Sequence, residues 1–253
     1  MLHRLVAIAI VLIASIGPVA SAQTVDEIIA KYVEARGGMD ALQGVESAKY
    51  YGNSTMQGIE APGVLYIKHP NKMRIELTIQ GQTMIQAYDG ESGWYISPFM
   101  GKTEPEKMGA EDAQELKEMG DFEGPMVNAK DKGNTVELLG KEDLEGSPVY
   151  KLKLTRENGD VDLVYLDAEH FLELKTTIKR TRQGAEVEVD NFSSDYKAVN
   201  GLMLAHSSEN KMGGQTLMQY NIDSIQFNID MPDSLFIMPE IKAAETDSTK
   251  TGE

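Results

Sequence analysis

The sequence predicts a mainly β, α+β protein: a curled, incompletely closed antiparallel β-barrel of about ten or eleven strands with an N-terminal helix and a helical lid. Three observations predict it. Beyond residue 45 apolar residues recur with a period of two, turn dipeptides part those runs at short intervals, and helical periodicity is confined to two places.

In chain order, residues 1–22 read as a cleavable secretory leader. Arg4 supplies the positive charge, residues 5–16 are an apolar core, and Ala20-Ser21-Ala22 fits small-x-small cleavage. That core is shorter than the ~20 residues a membrane helix needs, and no later stretch approaches that length. The exported chain is therefore expected to be a soluble periplasmic protein without a transmembrane segment. Gln23 follows the cleavage point and the chain has no cysteine, which excludes lipid anchoring at a leader cysteine and any disulfide. Residues 23–239 are read as one domain that depends on a buried core.

A helix follows at once. Thr24 as N-cap and Glu27 three residues on form a capping box, and Val25, Ile28, Ile29, Tyr32 and Val33 make one apolar stripe that ends at Gly37-Gly38. A short helical turn, Met39–Gln43, precedes the change of period at Val45.

Met73, Ile75, Leu77 and Ile79 then alternate with Arg74, Glu76, Thr78 and Gln80, which gives a strand with one dry and one wet face. The same alternation sets Tyr150, Leu152 and Leu154 against Lys151 and Lys153. It recurs with Leu172, Leu174 and Ile178 against Glu173, Lys175 and Lys179, and with Val187 and Val189 against Glu186, Glu188 and Asp190. Pro70-Asn71, Gly81-Gln82, Asp89-Gly90, Asn158-Gly159, Asn200-Gly201 and Gly213-Gly214 favour tight reversals, hence hairpins joined in sequence.

Residues 100–132 interrupt the pattern with Pro105, a helical run at 110–119 and a break at Gly124-Pro125. Ala113, Leu116 and Met119 share a face of that helix, which is placed to cover the open side of a curled sheet. Residues 240–253 carry almost nothing apolar and are expected to be a disordered acidic tail.

The formal net charge is −16, and Arg4 is the leader's only charged residue, so the exported part is more acidic still. Such a chain does not suit a nucleic-acid backbone or an anionic lipid surface. The sequence has no Gly-x-Ser-x-Gly elbow, no phosphate-cradling glycine loop and no His-Glu-x-x-His pair. His69, His170 and His206 stand on separate segments with no thiolate to complete a zinc site. The chain is read as non-enzymatic, with no metal or other cofactor. Its 40 acidic residues leave a glycosidase-type carboxylate pair open, but a sugar site usually offers aromatic platforms and Trp94 is the one tryptophan. Methionine is abundant, with 14 residues, and Met100, Met108, Met119 and Met126 fall in or beside the helical insertion. Flexible thioethers adapt to irregular apolar shapes and suit a lipid cavity.

The segment His69-Pro70-Asn71-Lys72-Met73-Arg74 leads into the alternating strand, Tyr88-Asp89-Gly90 makes a hairpin turn, and Trp94 opens the next strand. Tyr165-Leu166-Asp167, Asp195-Tyr196-Lys197 and Pro232-Asp233-Ser234-Leu235-Phe236 follow. With the leader and the first helix, this order resembles the bacterial outer-membrane lipoprotein carrier and lipoprotein-sorting (LolA-like) family over nearly the whole exported chain. The resemblance implies helices that lid a hydrophobic cavity, acyl chains of a lipoprotein in transit as cargo, and a membrane-bound donor or acceptor protein as partner. In that family an arginine commonly precedes the proline and helps hold the lid shut. Here the position is His69, whose imidazole lacks the planar fork of donors of a guanidinium, which implies a branch apart from the housekeeping carrier.

The resulting reading is a periplasmic carrier or binder of lipoprotein acyl chains or other lipids. Its cavity would be lined by Met73, Ile75, Leu77, Met84, Trp94, Met100, Leu116 and Met119. An envelope-stress sensor or protein-interaction module of the same fold is the alternative, and a hydrolase with an unrecognised carboxylate pair is the third reading.

Overall fold

The computed structural model describes residues 23–182 and 185–240, so the leader and the tail beyond residue 240 lie outside the described residues. Helix α1, Val25–Ala35, starts at the expected capping box: Thr24 N–H donates to Glu27 Oε2 at 2.9 Å and Glu27 N–H to Thr24 Oγ1 at 3.3 Å. Its stripe buries Ile28, Tyr32 and Val33, and the short α2, Met39–Gln43, adds Leu42.

Six strands follow as a meander: β1 Ser47–Met56, β2 Ile59–Lys68, β3 Lys72–Ile79, β4 Gln82–Tyr88, β5 Gly93–Ser97 and β6 Lys102–Lys107. Helix α3, Ala110–Met119, separates them from β7 Thr135–Leu144, β8 Ser147–Thr155, β9 Val161–Asp167, β10 Glu173–Arg182, β11 Ala185–Val199, β12 Leu202–Met212 and β13 Gln215–Phe227. Pairing of β1 with β13 fuses the two meanders into one antiparallel sheet, ordered β6-β5-β4-β3-β2-β1-β13-β12-β11-β10-β9-β8-β7. The sheet is not closed: β6 and β7 are its free edges.

The mainly β class and the incompletely closed antiparallel sheet agree with expectation, but the strands number 13. One of the additional strands is β6, hidden by Pro105; an edge strand tolerates proline because its outer side lacks a ladder to break. The reversals at Gln57-Gly58 and Glu145-Gly146 were equally hard to see, since Gln57 and Glu145 take left-handed φ values of 49° and 53° that those residue types do not advertise. The other edge, β7, is blunted by a register shift between Leu138 and Gly140.

Cross-strand neighbours point to the same face of a sheet. Phe227, Ala48, Ile67, Met73 and Tyr88 are in register across β13, β1, β2, β3 and β4 and form a row on the inner, concave face. Helix α1 packs into that concavity, where Ile28, Tyr32 and Val33 join Val45, Tyr50, Leu152, Leu154, Val164 and Leu166. At roughly 1.5–3 kcal/mol per large side chain fully removed from water, this cluster is the main stabiliser of a fold without cross-links.

Residues 228–240 run back over the outer face. Asn228 Oδ1 accepts from Glu46 N–H at 2.8 Å, Lys68 Nζ donates to the Met231 carbonyl at 2.7 Å, and Arg74 Nη1 donates to the Leu235 carbonyl at 2.9 Å. Trp94 Nε1 donates to the Phe236 carbonyl at 2.6 Å, and the Phe236 ring is fully buried.

Candidate lid site

Helix α3 lies on β3, β4 and β5. Its Leu116 packs on Met73 and Tyr88, with Ile75, Met108 and Ala113 around them. This cluster is separate from the main core, and Leu65 packs against both. The helix sits close to the backbone of β5: a Cβ at Gly93 would lie 3.0 Å from the Ala113 Cβ and 3.0 Å from Met108 Sδ, so glycine sets the approach.

Polar contacts tie the helix to the other half of the sheet. Glu118 Oε2 is 3.2 Å from Arg156 Nη1 and 3.3 Å from Arg180 Nη2. Both arginines also hold Asp162, whose side chain is 1% exposed, at 2.8 Å and 2.7 Å. The segment after α3 is held from α1. Arg36, at the C-cap of that helix, donates through Nη2 to the Phe122 carbonyl at 3.1 Å, through Nη1 to the Glu123 carbonyl, and to the Tyr32 hydroxyl at 3.0 Å. Lys132 Nζ closes the same loop on Asp121 at 2.7 Å and on the Gly124 carbonyl at 2.9 Å. Position 69 takes no part in holding those carbonyls; His69 is exposed, and its N–H donates to the Glu46 carbonyl at 2.9 Å.

Two groups beside Arg36, the buried Tyr32 and the half-buried Glu173, have displaced acidities. Burial pushes the Tyr32 hydroxyl up, against the pull of the neighbouring guanidinium. Burial likewise raises the Glu173 carboxyl, although Thr176 Oγ1 donates to it at 2.7 Å and Arg36 lies near. Simple alternation had placed Glu173 on the wet face. A register shift between Glu173 and Lys175 puts it opposite Leu166, a core residue, and turns it inward. Farther along the inner face the Tyr220 hydroxyl is buried with no partner among the described residues, and burial pushes its pKa up to about 12.

Two cavities accompany these contacts. One of about 800 Å³ opens where the β2–β3 turn at His69 and Pro70, the end of α3 with its following loop, and the β8–β9 turn at Arg156 meet; its walls mix charged and apolar groups. One of about 160 Å³ lies between Tyr32, Arg36, Glu173 and Tyr196.

The eight residues selected from sequence divide among three places. Met73, Ile75, Leu77 and Met84 share the inner face, with Met73 and Leu77 buried and the other two half-buried, and Leu116 covers Met73. Trp94 is on the outer face instead: it pairs with Ala87, Ala87 pairs with Arg74, and the Arg74 guanidinium lies 5.4 Å from the indole centroid. Met100 and Met119 are exposed, one in the β5–β6 turn and one at the end of α3. None of the eight borders the larger cavity. Arg36, Glu118, Arg156 and Arg180 were missed, because nothing local in the sequence says that a surface-type residue has its partner on a distant element.

No family model and no curated protein matches the chain. Solved structures do resemble it in fold. A DUF1329 family protein from Desulfovibrio piger superposes with a TM-score of 0.59 at 11% identity, covering 85% of this chain and 98% of that one. A domain named for outer membrane lipoprotein sorting, from Vibrio parahaemolyticus, gives 0.57 at 13% identity over 82% of this chain and 94% of that one. A LolA superfamily protein from Nitrosomonas europaea gives 0.57 at 14% identity, with coverages of 85% and 98%. The chain shares with them the LolA-type fold, mostly β with few helices and with its antiparallel sheet not closed into a barrel. No helix among the described residues is long and apolar enough to cross a membrane.

Proposed function

We propose that this chain is a periplasmic binder or carrier of lipoprotein acyl chains or other lipids, of the lipoprotein-sorting type, and that cargo occupies the inner face beneath α3. The observation that carries the reading is the separateness of the α3 cluster: Leu116, Met73 and Tyr88 form their own small apolar contact beside the main core. The helix can leave without dismantling α1 and the strands around it. Its departure bares Met73, Ile75 and Tyr88, which lie on the same inner face as the paired Leu77 and Met84, and an acyl chain replaces Leu116 there. Removing ~200 Å² of acyl surface from water supplies about 5 kcal/mol at 25 cal/mol per Å². That offsets the loss of one leucine contact, while the largely buried Arg156 and Arg180 keep Asp162 as their partner when Glu118 moves away.

The leader at residues 1–22 and the LolA-type fold support the periplasmic placement, and the fold supports a binding role without catalysis. Met100 and Trp94 are left out of the proposed lining, the first in a turn and the second beneath residues 228–240.

Solvent extraction of the protein purified from periplasm, followed by mass spectrometry, tests the reading together with uptake of a fluorescent fatty-acyl probe. Bound acyl species and saturable uptake are expected, with uptake weakened at least tenfold in Ile75→Glu, a half-buried position that tolerates a charge better than Met73. A wild-type protein that holds no acyl species and takes up no probe ends the proposal.

A further inference from the structure

In an acidic chain in which charged residues make up 25%, the stretch 198–208, around the β11–β12 turn at the other end of the sheet, carries none, and neither do residues 50–59, 77–88, 92–101 and 212–222. The topology brings the turns of these last four together. The β1–β2 turn at Gln57-Gly58, the β3–β4 turn at Gln80-Gly81, the β5–β6 turn at Pro98–Met100 and the β12–β13 turn at Gly213-Gly214 all lie at one end of the consecutive strands β6 to β12. At ~4.8 Å per strand, eight neighbouring strands make a rim roughly 35 Å long. Of the eight large apolar side chains exposed among the described residues, five stand on it: Ile59, Phe99, Met100, Met212 and Leu217, with Met100 73% exposed. At the opposite end the β4–β5, β7–β8 and β9–β10 turns carry Asp89 and Glu91, Asp143 and Glu145, and Glu169, whereas the β2–β3 and β11–β12 turns carry no carboxylate and expose no large apolar side chain.

From this arrangement we infer that the rim docks on the surface of an electrically neutral, zwitterionic bilayer, with Phe99, Met100, Met212 and Leu217 as insertion points. Three features select that occupant. The apolar side chains are spread over three hairpins along an arc, Phe99 with Met100, Met212 with Leu217, and Ile59, which suits a deformable apolar layer better than one protein groove. The turns themselves bear neither positive charge to seek anionic lipid nor carboxylates to be desolvated, and the net charge of −16 repels an anionic surface. Lys102 and Lys211 flank two of the tips and are held back by Glu106 at 2.8 Å and Glu209 at 3.0 Å, at the level where headgroups would lie.

Docking goes beyond cargo binding and is separable from it. Co-flotation of the protein with phosphatidylcholine vesicles is the test. The wild type is expected to float at low and high salt alike, and less with vesicles containing phosphatidylglycerol. Phe99→Glu/Met100→Glu and Met212→Glu/Leu217→Glu are each expected to lose at least tenfold in partitioning, while Ile237→Glu, an exposed apolar site away from the rim, floats as wild type. Absence of wild-type flotation, or tip variants that float unchanged, overturns the inference. So does self-association that depends on the same tips without any flotation, which would assign the rim to a second copy of the chain. Uptake of soluble acyl probe is measured on the same samples: flotation lost with uptake kept removes docking alone, and uptake absent with flotation kept removes the carrier reading alone.

Discussion

Arg36 and Phe122 are 86 positions apart in the chain, and the Arg36 guanidinium donates from Nη2 to the Phe122 carbonyl at 3.1 Å. The first helix, which is part of the core, thereby holds the loop that follows α3. Arg36→Lys keeps the charge but loses the planar fork that reaches the Phe122 and Glu123 carbonyls and the Tyr32 hydroxyl together. A loss of about 1.5–3 kcal/mol in urea unfolding is expected from charge-assisted bonds of this kind. Amide exchange should quicken across residues 120–127 while α1 stays protected; equal exchange in both proteins would show that the loop is held by Lys132 alone.

Glu173 makes a pH prediction. Its folded-state acidity is displaced upward, chiefly by burial, so the folded protein binds this proton more readily than the unfolded chain does. Stability from this group is present at pH below the ordinary glutamate value and is lost as pH rises through the raised folded value. Glu173→Gln keeps the shape without the charge. Its Tm at pH 7 should exceed that of wild type, and the gap should close as pH falls toward 4. A variant less stable than wild type at pH 7 would show that attraction to Arg36 outweighs desolvation.

Trp94 reports on residues 228–240. Phe236 is fully buried, and its carbonyl accepts from the indole at 2.6 Å. Phe236→Ala removes a packed ring, a change that costs about 3–5 kcal/mol in well-filled cores. Because Trp94 is the chain's single tryptophan, its emission should shift to the red in the same variant. Unshifted emission would place the indole's shielding on β3 to β5 alone.

The legible parts of this fold were local. The capping box of Thr24 and Glu27, the helix at 110–119 and five of the six turn dipeptides from Pro70-Asn71 to Gly213-Gly214 are written in adjacent residues and recur in the structure, while the turn read at Gly81-Gln82 falls one residue earlier, at Gln80-Gly81. The inner placement of Met73, Ile75 and Leu77 follows from alternation, which holds while the register is unbroken. Glu173 shows where alternation fails, since one bulge reverses the facing of a residue and leaves no mark in composition. Trp94 shows a second limit. Both faces of β5 are covered, one by α3 and the other by residues 228–240, so its large apolar side chain does not identify the inner face. The ion pairs of Glu118 join elements distant in sequence, and only the curl of the sheet makes them neighbours.

Glu118 ties helix α3 to the far half of the sheet. Its carboxylate meets Arg156 and Arg180, and both arginines remain paired with Asp162 when Glu118 is neutralised. Glu118→Gln should therefore spare the sheet and loosen α3. Weakening closure by about 1.4 kcal/mol raises the open fraction tenfold, and a ligand that binds only the open form gains the same factor in apparent affinity. Acyl-probe uptake is expected to be tighter by up to tenfold in this variant, with a small fall in Tm. Asp162→Asn should act differently: it leaves two arginines poorly compensated in a buried place, and a loss of about 3–5 kcal/mol is expected with no gain in affinity. If Glu118→Gln lowers stability yet takes up probe no more tightly than wild type, α3 is a fixed part of the core and cargo does not enter beneath it.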